Sequence, residues 1–227
     1  MVAAGANACV LHHSAGRTAL RSGELCLIDA GCELDGYASD ITRTFPANGR
    51  FSAEQRAVYD VVVAAQEAAV AQTRPGARHR DGHWAAVRVL SQGLLDLGLL
   101  DRSTVGSVDD VIEAGAYRAF YMHGTGHWLG RDVHDVGEYL SLGEAPVEQQ
   151  NPLGGRIVKK PSRVLVPGMV LTVEPGLYVR PAEGVPERFW HIGIRIEDDA
   201  VVTATGCELI SRGVPVAAAE IEALMRA

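Results

Sequence analysis

The chain has 227 residues, of which 47% are hydrophobic and 22% charged, and its formal net charge is −7. This length supports one sizeable core and is too short for two large domains. The acidic balance disfavours a nucleic-acid binder, and no apolar run reaches the ~18–20 residues that a membrane helix needs. The N-terminus lacks the basic start and apolar centre of a signal peptide, and the four cysteines form no CxxC pair. Composition therefore predicts a soluble, cytoplasmic protein with reduced thiols.

The first part of the chain predicts strands joined by a tight turn. Ala8–Leu11 and Leu25–Asp29 are apolar runs of strand length. Asp35-Gly36 is a strong hairpin signal, and Tyr37–Phe45 is the expected return strand. A two-residue turn would pair Gly31 with Asp40.

Three helices are predicted further along. Ser52-Ala-Glu-Gln55 is a capping box, and the helix that it opens should end near Thr73 before Pro75-Gly76. A second helix is expected from about His83 to Leu97, with Gly98 as its stop, and a third over Ala217–Met225.

The remaining segments predict more strands and one long loop. Met169–Glu174 and Ile192–Val202 have strand character, whereas Ser141–Ser162 has no clear period and predicts a surface loop. Hairpins outnumber strand–helix–strand units. The expected fold class is therefore α+β, with a mainly antiparallel sheet.

The first hairpin carries two carboxylates that could share a cation. In the expected register Asp29 lies diagonally across from Asp40, and such neighbours are roughly 7–8 Å apart at the backbone. Gly31, which has no side chain, is expected to leave room between them. Either aspartate alone is more simply a turn or solvated acid. An acid that ends an apolar strand, however, is costly to bury without a partner, and a metal ion would remove that cost.

Three histidines lie close together among glycines. His123, His127 and His134 fall within twelve residues, and Gly124 and Gly126 argue against a helix there. An even spacing of four puts His123 and His127 on one side of an extended segment. One histidine alone is usually a satisfied polar residue. Three in such a stretch indicate a site.

Two glutamates complete the candidate donors. Glu174 ends an apolar strand, as Asp29 does, and Glu197 shares a strand face with Gly193 and Arg195. Arg195 could form an ordinary ion pair with Glu197 or orient a metal ligand. Oxygen-rich ligation with one imidazole suits Mn²⁺, with Co²⁺, Fe²⁺ or Zn²⁺ as alternatives. Four carboxylates carry more charge than one dication balances, which favours a pair of ions.

Four segments resemble the metal-binding motifs of the pita-bread metallopeptidases, which include methionine aminopeptidase, prolidase and aminopeptidase P. They are LIDAGCELDGYASDITRTFP, HGTGHWLGRDVHDVGEY, PGMVLTVEPGLYV and IGIRIEDD. The resemblance runs from about Ala3 to Met225 and is nearest to the aminopeptidase P family. It implies a pita-bread fold, with a curved antiparallel sheet flanked by helices, and one catalytic domain over residues 1–227.

The resemblance also implies the roles of individual residues. Asp40 and Glu197 would bridge two metal ions, while Asp29 would bind one ion and His127 and Glu174 the other. A hydroxide held by both ions would attack the scissile carbonyl, with Glu174 as proton shuttle. His123 and His134 would contact substrate or stabilise the tetrahedral intermediate by hydrogen bonding. His12 would line the substrate pocket, and Tyr178 and Arg195 would lie near the metals and bind substrate.

Family resemblance implies an aminopeptidase that releases the first residue of peptides with proline second. Two alternatives stay open: a prolidase that cuts Xaa-Pro dipeptides, and a catalytically silent binding module. Relative to the family, we expect the chain to lack an N-terminal domain and the first helices of the catalytic domain. The resemblance also admits a homo-oligomer. Leu140–Arg163 is longer than the usual connection and is most simply a tolerated surface insertion.

Overall fold

A computed structural model describes residues 1–14, 16–150 and 156–226, without the side chains of residues 149, 150, 156 and 157. Helices and strands are mixed along the chain. The helices are α1 (Ala53–Gln72), α2 (His79–Asp96), α3 (Arg102–Val105), α4 (Val108–Ala114) and α5 (Ala218–Leu224). Within the described ranges no helix is long and apolar enough to cross a membrane.

The strands are short, and every pairing between them in the described residues is antiparallel. This confirms the predicted α+β class. The strands are β1 (Val2–Ala4), β2 (Leu25–Ala30), β3 (Glu33–Leu34), β4 (Tyr37–Ala38), β5 (Ile41–Pro46), β6 (Val147–Gln150), β7 (Arg156–Lys159), β8 (Val170–Val173), β9 (Gly176–Val179), β10 (Ile192–Arg195), β11 (Asp198–Val202) and β12 (Cys207–Leu209).

Three small sheets carry the site. Their strand orders are β1-β2-β5, β8-β11-β12 and β9-β10. A bridge between Thr42 and Glu197 links β5 to the segment between β10 and β11. Strands that are distant in sequence therefore lie next to each other at the point where the predicted acids cluster.

The first hairpin has the register that the Asp-Gly turn predicts. Asp35 and Gly36 both have positive φ, of 52° and 81°, as a two-residue hairpin turn requires. Pairing continues in the same register from β3–β4 into β2–β5, on both sides of Gly31 and Asp40. The predicted return strand Tyr37–Phe45 is split into β4 and β5 at the residues next to Asp40.

Gly31 has a different purpose from the one expected. A Cβ at this position would lie 1.8 Å from the carbonyl oxygen of Ser39, so the space beside Gly31 is filled by the return backbone rather than left for a cation. Glycine is needed here for close backbone approach.

The long helices form one layer of the core. Ser52 and Gln55 make both bonds of the predicted capping box, and α1 ends at Gln72 with Thr73 as its C-cap, next to the expected stop. Helix α2 begins one turn earlier than predicted, at His79, because Asp81 accepts a 2.7 Å hydrogen bond from the amide of Arg78. Four apolar side chains of α1 are fully buried against α2 and the sheets: Val58, Val62, Ala65 and Ala69.

Other predicted elements were wrong in kind or extent. Ala8–Leu11 is not a strand, because its first two residues end a 3-10 turn over Gly5–Cys9 and the next two form a bend and a turn. Ile192–Val202 is two strands, since Glu197 leaves the ladder to pair with Thr42. The Ser141–Ser162 stretch contains the β6–β7 hairpin, and its residues 151–155 lie outside the described part. Helix α5 agrees with the predicted third helix.

Candidate metal centre

One cavity of about 230 Å³ brings together nine of the ten predicted site residues. Leu11 and two glycines complete its lining. The predicted residues in its wall are His12, Asp29, Asp40, His123, His127, His134, Glu174, Arg195 and Glu197. Tyr178, the tenth, is fully buried behind this wall and is hydrogen-bonded to two of its members.

The acids come from strand ends of three different sheets. Asp29 is in β2, Asp40 immediately precedes β5, and Glu174 immediately follows β8. Glu197 lies in the two-residue gap between β10 and β11, where its amide donates to Thr42 at 3.1 Å. Because these strand ends meet, acids that are far apart in the sequence share one cavity.

His127 is held against β8 by close backbone packing. A Cβ on Gly126 would lie 2.0 Å from the carbonyl oxygen of Thr172, so only glycine lets this segment approach the strand. The His127 amide then donates to the Thr172 hydroxyl at 3.2 Å, and its carbonyl accepts from the Thr172 amide at 2.9 Å.

Three of the donors form a compact cluster. One ligand atom each of Asp40, His127 and Glu197 lies within 4.8 Å of the other two. His127 Nδ1 is 3.0 Å from the carbonyl oxygen of Trp128, which cannot donate, so this nitrogen carries the proton. Nε2 is therefore the nitrogen that faces the acids and could bind a metal ion, while Nδ1 is fixed by a backbone carbonyl, as in a metal-binding histidine.

Glu174 and Asp29 stand at the edge of this cluster. Glu174 Oε1 is 3.6 Å from His127 Nε2, the same distance as Asp40 Oδ2. The carboxylate of Asp29 is bound by the Arg195 guanidinium. All five predicted ligands thus line one cavity.

Sequence reasoning missed Thr42, which is completely buried beside the cluster. Its hydroxyl donates to Glu197 Oε2 at 2.6 Å and accepts from Arg195 Nε at 3.1 Å. Both partners are more than 150 residues away in the sequence, so no local pattern marks Thr42 as part of the site. The sequence left two roles open for Arg195, an ion pair with Glu197 or the orientation of a metal ligand. Its Nε lies 4.0 Å from Glu197 Oε2 and its guanidinium also binds Asp29, so the structure contains contacts of both kinds.

A relay of hydrogen bonds positions His123. Its Nδ1 donates to the Gly124 carbonyl at 2.7 Å, which leaves Nε2 to accept from the Tyr178 hydroxyl at 2.8 Å. Tyr178 in turn accepts from Arg195 at 3.2 Å. Burial lowers the pKa of His123 to about 4, with a further contribution from the Arg195 charge, so the imidazole is neutral at pH 7.

The other two predicted histidines lie on the open side of the cavity. The His134 ring packs edge-on against His127 with centroids 4.2 Å apart. Both His134 and His12 are exposed, so they can reach a bound molecule without moving the buried acids.

The electrostatics of the cluster fit divalent cations. Burial raises the pKa of Glu174 to about 7, and repulsion by Asp40 and Asp29 adds to this. Burial and the neighbouring Glu174 and Asp40 also raise the pKa of Glu197 well above its usual range. Acids packed this closely are costly to ionise together, and cations between them would remove that cost. Four carboxylates and one imidazole form a donor set suited to such ions.

The chain is similar to known metallopeptidases over nearly its whole length. The model of the metallopeptidase family M24 matches residues 1–204. The Xaa-Pro aminopeptidase of Escherichia coli is 47% identical over 225 residues, covering 99% of this chain and 46% of that protein. The human Xaa-Pro dipeptidase is 42% identical over 243 residues, covering 97% of this chain and 47% of that protein. The chain spans about half the length of the curated relatives that it matches.

The solved structure of Pseudomonas aeruginosa aminopeptidase PepP is similar over the whole chain. It superposes with a TM-score of 0.88 at 53% identity, covering 100% of this chain and 47% of that one. The fold is therefore the predicted pita-bread fold. Together with the matching family model and the clustered acids and histidine, this similarity shows that the chain belongs to metallopeptidase family M24.

Proposed function

We propose that residues 1–227 form the catalytic domain of an Xaa-Pro aminopeptidase, which releases the first residue of peptides with proline at the second position. The observation that carries the proposal is the convergence of Asp29, Asp40, His127, Glu174 and Glu197 on one cavity. The names of the E. coli and P. aeruginosa relatives support the reaction type.

The five donors would hold two divalent ions, with Mn²⁺ as the preferred metal because oxygen ligands outnumber nitrogen. Asp40 and Glu197 would bridge the ions, Asp29 would bind one, and His127 and Glu174 the other. When bound, the ions polarise the scissile carbonyl and make a water molecule easier to deprotonate.

Glu174 is the proposed proton shuttle. The attacking water must lose a proton, and the departing proline nitrogen must gain one. The Glu174 carboxyl is placed for both transfers, because it lines the cavity and reaches toward two histidines. Its two oxygens lie 3.6 Å from His127 Nε2 and 3.8 Å from His123 Nδ1.

The remaining residues would bind and orient the peptide. His134 is exposed beside His127 and can donate a hydrogen bond to the oxygen that becomes negatively charged in the tetrahedral intermediate. His123 would contact substrate with its ring, which is fixed because Nδ1 donates to Gly124 and Nε2 accepts from Tyr178. His12 would contact substrate at the rim, and Arg195 with Tyr178 would hold the Asp29 carboxylate in place.

The prolidase alternative is kept because the human Xaa-Pro dipeptidase is also similar over nearly the whole chain. A dipeptide and a tripeptide with the same Xaa-Pro start separate the two activities. A prolidase cuts only the dipeptide, whereas an aminopeptidase releases the first residue of the tripeptide. A silent binding module would cut neither.

The test is release of the first residue from an Xaa-Pro-Xaa peptide by the purified chain with added Mn²⁺. We expect turnover to fall at least ~1,000-fold in Asp40→Ala and His127→Ala, because each removes a donor from the cluster. Asp109→Ala, which changes an exposed acid on α4, serves as control. Full activity in the Asp40→Ala and His127→Ala variants would refute the proposed mechanism.

A cytoplasmic location is proposed on the cysteines. Cys9 and Cys26 are buried and all four are free thiols, as expected in a reducing compartment.

A further inference from the structure

A second cavity, of about 370 Å³, lies beside the metal centre and has the opposite charge character. It is enclosed by α2, the turn that contains Tyr117, the β6–β7 hairpin and β8. Three cationic side chains line it: Arg80, Arg118 and Lys159. Its described lining contains no Asp or Glu, although acids outnumber Lys and Arg by 28 to 21 in the whole chain.

These cations come from three separate segments. Arg80 is in the first turn of α2, Arg118 is in a 3-10 turn after α4, and Lys159 ends β7. None of the three makes an ion pair with an acid in the described part of the chain. All three are exposed, and like charges around one cavity without counterions repel each other, a cost that a bound anion would offset.

Two histidines in the wall, His79 and His83, are uncharged at neutral pH. The pKa values of His79 and His83 are lowered to about 4, first by burial and next by the Arg80 charge. Both rings are therefore neutral at pH 7 and add no further repulsion. Three aromatic rings, Trp84, Tyr117 and Tyr139, provide flat apolar surface around the cations.

This cavity adjoins the metal centre. Gly124 and Gly126 line both cavities, and a Cβ on Gly124 would meet only the Gly126 carbonyl, at 3.9 Å. Because residue 124 is a glycine, no side chain at this position separates the two cavities. In the same segment, Thr125 bonds through its hydroxyl to His83 at 2.8 Å and through its carbonyl to the amide of Glu174 at 2.8 Å.

We propose that this cavity is an anion-binding subsite that takes a carboxylate or phosphate group. Guanidinium groups bind both through paired N–H donors, and the lysine adds a point charge. The anion could be an acidic group of the peptide substrate downstream of the proline, a source that rests on the proposed function. It could equally be a free small anion, and this source does not depend on the proposed function.

The binding arm of the test uses inorganic phosphate and calorimetry on the whole chain, and needs no catalysis. We expect saturable binding that weakens about tenfold or more in the Arg80→Gln/Arg118→Gln double variant, because two charge-assisted contacts are lost. Arg50→Gln, which changes an exposed arginine outside the cavity, should bind like the parent chain.

The substrate arm compares an Xaa-Pro-Ala-Asp peptide with its Xaa-Pro-Ala-Asn counterpart, both amidated at the C-terminus. If the substrate supplies the anion, the acidic peptide has the higher kcat/KM, and the preference disappears in the double variant but not in Arg50→Gln. If a free anion is the ligand, phosphate binds and the two peptides are cut equally well. The proposal would be overturned if the double variant and Arg50→Gln bind phosphate equally well and show the same preference between the two peptides. Loss of all cleavage with phosphate binding retained would contradict the proposed function alone.

Discussion

Residue 31 must be a glycine because the return strand packs directly against it. A substitution at Gly31 therefore tests the packing of the hairpin that carries Asp29 and Asp40. A methyl group there would lie 1.8 Å from the Ser39 carbonyl oxygen. Gly31→Ala should therefore lower the free energy of unfolding by about 1–3 kcal/mol, as overpacking does. Gly143→Ala, where a Cβ meets nothing within 4 Å, should change it by less than about 0.5 kcal/mol. Urea denaturation of both variants measures the difference, and equal stabilities would show that the return strand can move aside.

Individual donors could be recognised from residue type and position, whereas their supports could not. Asp29 and Glu174 each end an apolar strand, a costly place for an unpaired acid, and this predicted a site. Thr42 and Thr172 are common residues whose hydroxyls matter only because another strand passes next to them. Their partners are distant in sequence, so nothing local indicates the contact.

At the scale of elements, local signals predicted the hairpin and α1 well. The Asp35-Gly36 turn fixes the pairing register, and the Ser52 capping box fixes the start of α1. Predictions failed where a distant contact decides the structure. The pairing of Glu197 with Thr42 divides what reads as one strand, and the hairpin partners β6 and β7 carry no clear alternation.

A buried ion pair joins β5 to β11 directly behind Glu197. Asp198 is completely buried and accepts from Arg43 at 2.8 Å, while Arg43 also donates to the carbonyl of Glu197 at 2.7 Å. We expect Asp198→Ala to cost about 3–5 kcal/mol in the free energy of unfolding, because a buried arginine loses its counterion. Asp109→Ala, in an exposed pair with Arg88, should cost less than about 1 kcal/mol. Chemical denaturation compares them, and a similar small cost for both would contradict the importance of this pair.

For the whole molecule, the neutral buried histidines make stability depend on pH. The pKa of His79 and of His83 is about 4 in the folded chain, mainly through burial, against 6.5 for an ordinary histidine. Between these values the unfolded chain binds more protons, so both histidines stabilise the fold fully above about pH 6.5, and this contribution is lost as pH falls toward 4.

The raised pKa values of Glu174 and Glu197 make stability change with pH in the opposite direction. The contribution of the histidines is therefore measured as the difference in unfolding free energy between the parent chain and a histidine double variant. We expect His79→Asn/His83→Asn to be less sensitive to acid than the parent chain when unfolding free energies are compared from pH 7.5 to 4.5 under one metal condition. Parallel pH curves for the two proteins would show that these imidazoles are not held neutral.

We propose that Asp29, Asp40, His127, Glu174 and Glu197 hold a pair of divalent ions in one cavity. The most direct measurement is the ratio of metal to protein, by elemental analysis of the purified chain dialysed after loading with Mn²⁺. We expect about two ions per chain. In the Asp40→Asn and His127→Gln variants we expect a clearly lower metal-to-protein ratio with unchanged circular dichroism. No retained metal in the parent chain, or the same ratio in both variants as in the parent, would contradict it.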